Sequence, residues 1–109
     1  MSQIILFIDT TQREKITVSL QIDGKTFVSE QESSSRKNQA TLPMIVALLQ
    51  KNNLQFKDLT HIEVNPGPGS FTGVRVGVAV ANALSFVLHI PVNEKISSDG
   101  TQLVEPIYK

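Results

Sequence analysis

Apolar and polar positions divide this chain into segments of two different periods. Ile4 to Ile8 is a short unbroken apolar run, the pattern of a strand buried on both faces. From Ile16 the pattern alternates. Ile16, Val18, Leu20 and Ile22 share one face, and Thr17, Ser19 and Gln21 share the other, which predicts a half-exposed strand. Asp23-Gly24 follows as a hairpin signal, because glycine accepts the positive φ of a tight two-residue turn. Lys25 to Gln31 returns as a third strand. After a polar stretch the period lengthens: Leu42, Ile45, Leu48 and Leu49 recur at helical spacing. That helix ends near Lys51, with Asn52-Asn53 as its stop. Asn38 or Thr41 could cap its start; Pro43 is tolerated in a first turn but would kink a helix that began much earlier. Residues 59–65 predict a fourth strand and Ser70 to Leu88 a long second helix that Pro91 blocks. Residues 90–95 predict a short fifth strand.

Three strands, helix, strand, helix, strand is the order of an α/β ribonuclease-H-like, or actin-like, domain. Its sheet would be mixed and of about five strands, with two main helices as crossovers. At 109 residues the expectation is a single domain, with the core in residues 1–92 and an extension over 93–109.

The second helix raises a packing question. On a helical wheel Val76, Val80, Ala83, Leu84 and Val87 form one apolar sector, expected to lie on the sheet. Beside it run Gly73, Gly77, Ala81 and Ser85, flanked by Val74, Val78 and Leu88. Polar character is confined to a narrow sector with Arg75 and Asn82. A helix apolar over most of its circumference must be covered over most of it. The small-residue stripe is filled either by the first helix of the same domain or by a helix of another chain; the expectation is the second. On that expectation Gly77→Leu weakens assembly and leaves the monomer folded.

Composition narrows the chemistry. Ten basic and ten acidic residues cancel, so the chain lacks the cationic surplus that drives unaided binding to nucleic acid. Charged residues are 18% of the chain, below the usual ~25%. The absence of cysteine rules out a disulfide framework and fits a reducing cytoplasm. The amino terminus lacks a signal-peptide pattern, and no segment reaches the apolar length of a membrane helix. The loop "NPGPGSFTG", Asn65 to Gly73, is neither a Walker A loop, since Val74 stands where lysine is required, nor a dinucleotide fingerprint, since Gly67, Gly69 and Gly73 miss its spacing by one. It reads as a strand-to-helix turn. Pro66 and Pro68 stiffen it, Gly67 and Gly69 adopt unusual backbone angles, and Ser70 or Thr72 caps the helix. Asp9, ending the first strand, and Glu63, on the fourth, are the carboxylates a small ribonuclease-H-like hydrolase or nucleotide-binding domain would use together with the Gly67–Gly73 loop. The first helix, however, supplies no third acid. His61 and His89 are isolated, and no catalytic residue, metal ligand or cofactor site is assigned.

"GPGSFTGVRVG", Gly67 to Gly77, closely resembles the signature of the TsaB (YeaZ) family. "QATLPMIVALL", Gln39 to Leu49, resembles that family's first helix, and "ILFIDTT" its first strand. The resemblance covers roughly Ile4 to Val92. It implies an actin-like domain that acts as a non-catalytic scaffold in the cytoplasm. Its partner would be a TsaD-like catalytic subunit, met through the two helices, in a complex that places threonylcarbamoyl on an adenosine beside the tRNA anticodon. It further implies a TsaE-like ATPase as a possible third component, a homodimer when the chain is alone, and contact with tRNA only through the complex. The interface maps onto Leu42, Ile45, Leu49, Gly73, Val74, Gly77, Val78, Ala81 and Ser85. The catalytic relative carries a His-x-x-x-His metal pair in its first helix. Here the matching positions are Lys37 and Thr41, an ammonium with no lone pair and a lone hydroxyl. Family members also have a second domain of about equal length.

Overall fold

A computed structural model describes residues 3–32, 36–69, 71–93 and 104–105, with the side chains of Phe71 and Thr72 aside. Strands β1 (Ile4–Asp9), β2 (Lys15–Ile22) and β3 (Lys25–Glu32) form an antiparallel meander. Helix α1 (Lys37–Lys51), β4 (His61–Val64) and helix α2 (Phe71–Leu88) follow. The sheet order is β3-β2-β1-β4, and β4 runs parallel to β1. The expected fifth strand is present as a parallel bridge from Val92 to Ile62, flanked by bonds from Ile62 N–H to the Pro91 carbonyl and from Asn93 N–H to the Ile62 carbonyl. Residues 94 and 95 lie outside the described residues, as does most of the 93–109 extension.

Period two on β1, β2 and β4 puts Ile4, Leu6, Ile8, Ile16, Val18, Leu20, Ile62 and Val64 on one buried face. Leu6 sits between Leu20 and Ile62 in register. Both helices cover this face, meeting it with Met44, Ile45, Leu48 and Leu49 from α1 and Val74, Val78 and Ala81 from α2. The unbroken apolar run of β1 suggested burial on both sides. Instead Ile5, Phe7 and Asp9 are half-buried on the second face, because both helices fall on the first. The hairpin turn is as expected: Asp23 and Gly24 take φ of 48° and 90°.

Helix α1 begins earlier than its capping residues suggested. It starts at Lys37 after Arg36, with no side-chain cap, so Pro43 lies inside the helix rather than in its first turn. Thr41, expected as a cap, instead donates its hydroxyl to the Lys37 carbonyl one turn back at 2.7 Å. The predicted stop holds: Asn53 is left-handed at φ 57°, and the Asn52 amide donates to the Leu48 carbonyl.

Candidate functional site

At the C-terminal end of β1 three residues gather the starts of both helices. Asp9 Oδ1 accepts from the backbone N–H of Thr11 at 2.9 Å and from its hydroxyl at 2.7 Å, while Oδ2 accepts from the Asn65 amide at 3.2 Å. Burial raises the Asp9 pKa, but these bonds and the nearby Lys37 charge outweigh it and hold the carboxyl below its ordinary value. Asn65 in turn accepts from Gly67 N–H, which sets the first turn of the glycine loop.

Thr10 comes next and is fully buried. Its hydroxyl donates to the Gly73 carbonyl at 2.5 Å and accepts from Gly77 N–H at 3.0 Å. Those are the two groups that a single i→i−4 bond of a helix joins, so the side chain just past β1 is spliced into the backbone ladder of α2. Both helix positions are glycine, and Gly77 has no room for anything larger: an added Cβ would stand 2.5 Å from the Thr10 hydroxyl and 3.3 Å from Ile8 Cγ2. The Thr10 carbonyl accepts from Lys37 Nζ at 3.1 Å, and the same ammonium also donates to the Gln12 carbonyl. Burial lowers the Lys37 pKa, and the Asp9 charge recovers part of that loss. Lys37 is therefore a buried cation that pins α1 to the turn after β1.

This geometry corrects the expected faces of α2. The stripe of Gly73, Gly77, Ala81 and Ser85, with Val74 and Val78, is buried in the chain's own core. Gly73 and Gly77 serve a close approach of the helix to the end of β1 and Thr10, and Ser85 donates to the Ile90 carbonyl, so the stripe is not left for a partner. The sector expected on the sheet is turned outward only in part: Val80 and Leu84 still pack against the edge of the core. Val87 is 69% exposed, Ala83 is exposed, and Val76, Val80 and Leu84 are partly so. Phe86, 44% exposed, and Ala79 extend this outer row. On α1, Ile45 and Leu49 are core residues, and Leu42 alone of the three expected there faces out. The expectation that Gly77→Leu spares the monomer is likewise withdrawn, since the added side chain would collide with Thr10.

The glycine loop is explained in part as expected. Gly67 takes φ of 110°, which L residues rarely adopt. Gly69 is needed for space instead: a Cβ there would lie 2.7 Å from the Thr11 carbonyl and 3.0 Å from Val74 Cγ2. Thr72 lies within α2 and so is not its cap; Ser70 lies outside the described residues. Asp9, Glu63, Asn65, Thr17, Ser19 and Phe7 line an open hollow of about 360 Å³ on the second sheet face. Among the described residues no group of His, Cys, Asp or Glu is placed to hold a metal ion, and no helix is long and apolar enough to cross a membrane.

Comparison with known proteins adds the decisive observation. The family model described as TsaD, tRNA N6-adenosine threonylcarbamoyltransferase, matches residues 27–96. The tRNA threonylcarbamoyladenosine biosynthesis protein TsaB of Buchnera aphidicola (from Schizaphis graminum) is 34% identical over 94 residues, 84% of this chain and 43% of that protein. TsaB of Bacillus subtilis is 33% identical over 114 residues, 95% of this chain and 49% of the relative. The structure of YeaZ from Pseudomonas aeruginosa superposes with a TM-score of 0.78 at 31% identity, over 83% of this chain and 43% of that one. The chain belongs to the TsaB (YeaZ) family. The α/β actin-like fold follows, as the element order predicted. The chain spans about half the length of the curated TsaB relatives it matches.

Sequence reasoning missed Thr10, Lys37 as a tether, and the carboxamides of Asn82 and Asn93. The glycine pair four apart in α2 was the one visible signal of the Thr10 splice. It marks a close approach without saying which neighbour approaches.

Proposed function

We propose that the chain is a non-catalytic subunit of the machinery that makes threonylcarbamoyladenosine in tRNA. It pairs with a TsaD-type catalytic subunit, or with a second copy of itself, through the outward residues of α1 and α2. The observation that carries this reading is the outer row of α2: Ala79, Ala83, Phe86 and Val87 are exposed and Val76 partly so, which leaves the side its own sheet does not cover apolar, with Arg75 at its border. Leu42 on α1, 44% exposed, adds to the apolar surface. The names of the relatives support the pathway, and the match to the TsaD model supports a partner of related fold. The chain works in the cytoplasm, reaches tRNA through the complex, and shares that complex with a TsaE-like ATPase.

The hydrolase reading is not favoured. Both Asp9 oxygens are engaged by the chain's own Thr11 and Asn65, so the carboxylate organises a turn. Two tests separate the readings. The wild-type chain titrated into the TsaD-type transferase of the same organism should bind, and Val87→Glu should weaken binding by at least about tenfold, because the interface would have to bury a charge. In a reconstituted modification assay, Asp9→Asn and Glu63→Gln should retain activity wherever the complex assembles. Loss of modification with assembly intact would place chemistry in this chain and contradict the proposal.

A further inference from the structure

Asn82, on the mid-part of α2, holds both backbone groups of a residue far along the chain. Its Nδ2 donates to the Val104 carbonyl at 2.9 Å, and its Oδ1 accepts the Val104 N–H at 3.1 Å. The Val104 side chain is 6% exposed and joins the hydrophobic core, while Glu105 beside it is exposed. The carboxamide therefore meets the N–H and the C=O of one residue together, as a residue of a neighbouring strand does in the hydrogen-bonded pairs of an antiparallel ladder.

The same device occurs at Asn93, whose side chain accepts Val64 N–H at 2.8 Å and donates to the Val64 carbonyl at 3.0 Å. There it prolongs strand pairing, beside the Ile62–Val92 bridge. At Asn82 the clamp sits on a helix, and the pairing it makes is one residue wide. Asparagine is the short side chain this chemistry requires, since it offers one acceptor and one donor group together; aspartate has no donor and leucine has neither.

On the wheel Asn82 borders the outer row of α2. Ala79 and Phe86 lie to one side of it and the buried Val78 and Ser85 to the other. Packed helices stand about 8–10 Å apart. A segment held at hydrogen-bond distance from Asn82 occupies that space on one flank.

We propose that Asn82 and the hydrophobic core that Val104 joins form a docking site for a backbone residue bearing an aliphatic side chain. In this chain Val104 fills it in cis, and its occupation narrows the part of α2 that a partner helix can reach. The regulatory half of the proposal rests on the reading of α2 as the partner-facing helix; the docking half does not.

Val104→Asp should empty the site without touching α2. A synthetic peptide of residues 102–108 should then bind the full-length Val104→Asp chain saturably in calorimetry. It should bind the Asn82→Asp/Val104→Asp chain at least about tenfold more weakly, since the carboxylate both loses the donor and faces a carbonyl. Failure of the peptide to bind the first variant, or equal binding to both, overturns the site. If either variant unfolds on thermal melting, native-state hydrogen exchange on the wild-type chain decides: the Val104 amide should be protected, and exchange at the rate of unstructured chain overturns the site. For regulation, Val104→Asp should bind the TsaD-type transferase at least about threefold more tightly than wild type, and equal or weaker binding overturns that half. A wild-type chain that ignores the transferase overturns the reading of α2 instead, and the peptide result stands by itself.

Discussion

Thr10 shows how much one residue organises here. Its hydroxyl enters the α2 ladder, and its carbonyl holds the Lys37 ammonium of α1. Thr10→Val keeps the volume and removes the hydroxyl, so it should cost about 1–3 kcal/mol in urea denaturation, with Thr10→Ser recovering most of that loss. Gly77→Ala sets two effects against each other. Alanine gains ~1 kcal/mol of helix preference, but its Cβ would lie 2.5 Å from the Thr10 hydroxyl. That contact is backed by a packed strand, and overpacking of this kind costs about 1–3 kcal/mol. The net expectation is a destabilised chain, relieved when Thr10→Ala is added; a Gly77→Ala chain more stable than wild type would contradict the splice. Asp9 predicts a pH dependence. Its folded pKa lies below the ordinary 3.8, so between those two values the unfolded chain binds the extra proton. The stability it contributes is complete above the ordinary carboxylate range and is lost as pH falls through the lower folded value. In Asp9→Asn the acid limb of the stability-against-pH curve should be shallower.

At the scale of elements, strands and helices were legible because their periods are clean. The alternation of β2 and the Asp23-Gly24 turn led directly to the observed hairpin. What could not be read was orientation. Helix α2 carries two apolar sectors, and the wheel by itself does not say which meets the sheet. The bulkier sector of Val76, Val80, Leu84 and Val87 was the natural choice. The sheet instead took the stripe with glycines, because β1 is followed at once by a buried threonine whose hydroxyl needs backbone within reach. The start of α1 was misplaced for a related reason: Lys37 is held by carbonyls after β1 rather than by a local cap, and no local pattern encodes that. Substitutions on the outer row should therefore separate folding from pairing. Phe86→Ser and Val87→Glu should shift stability by no more than about 0.5 kcal/mol, as exposed positions do, yet weaken partner binding.

For the molecule as a whole, sheet and helices form one two-layer unit with its helical side turned outward. Its net charge of zero gives it no long-range pull on tRNA, so the chain alone should show no salt-dependent binding to tRNA in a gel-shift or anisotropy titration. Pairing through an apolar helix face should likewise respond weakly to ionic strength. The chain contains no cysteine, so single introduced thiols report exposure without background. The most direct measurement is the maleimide labelling rate of Val87→Cys with and without saturating TsaD-type transferase, beside Thr26→Cys on the exposed β3 edge. Pairing through the outer face of α2 predicts that labelling slows at position 87 and not at position 26. An unchanged rate at position 87 in a chain that has bound the transferase would contradict that account.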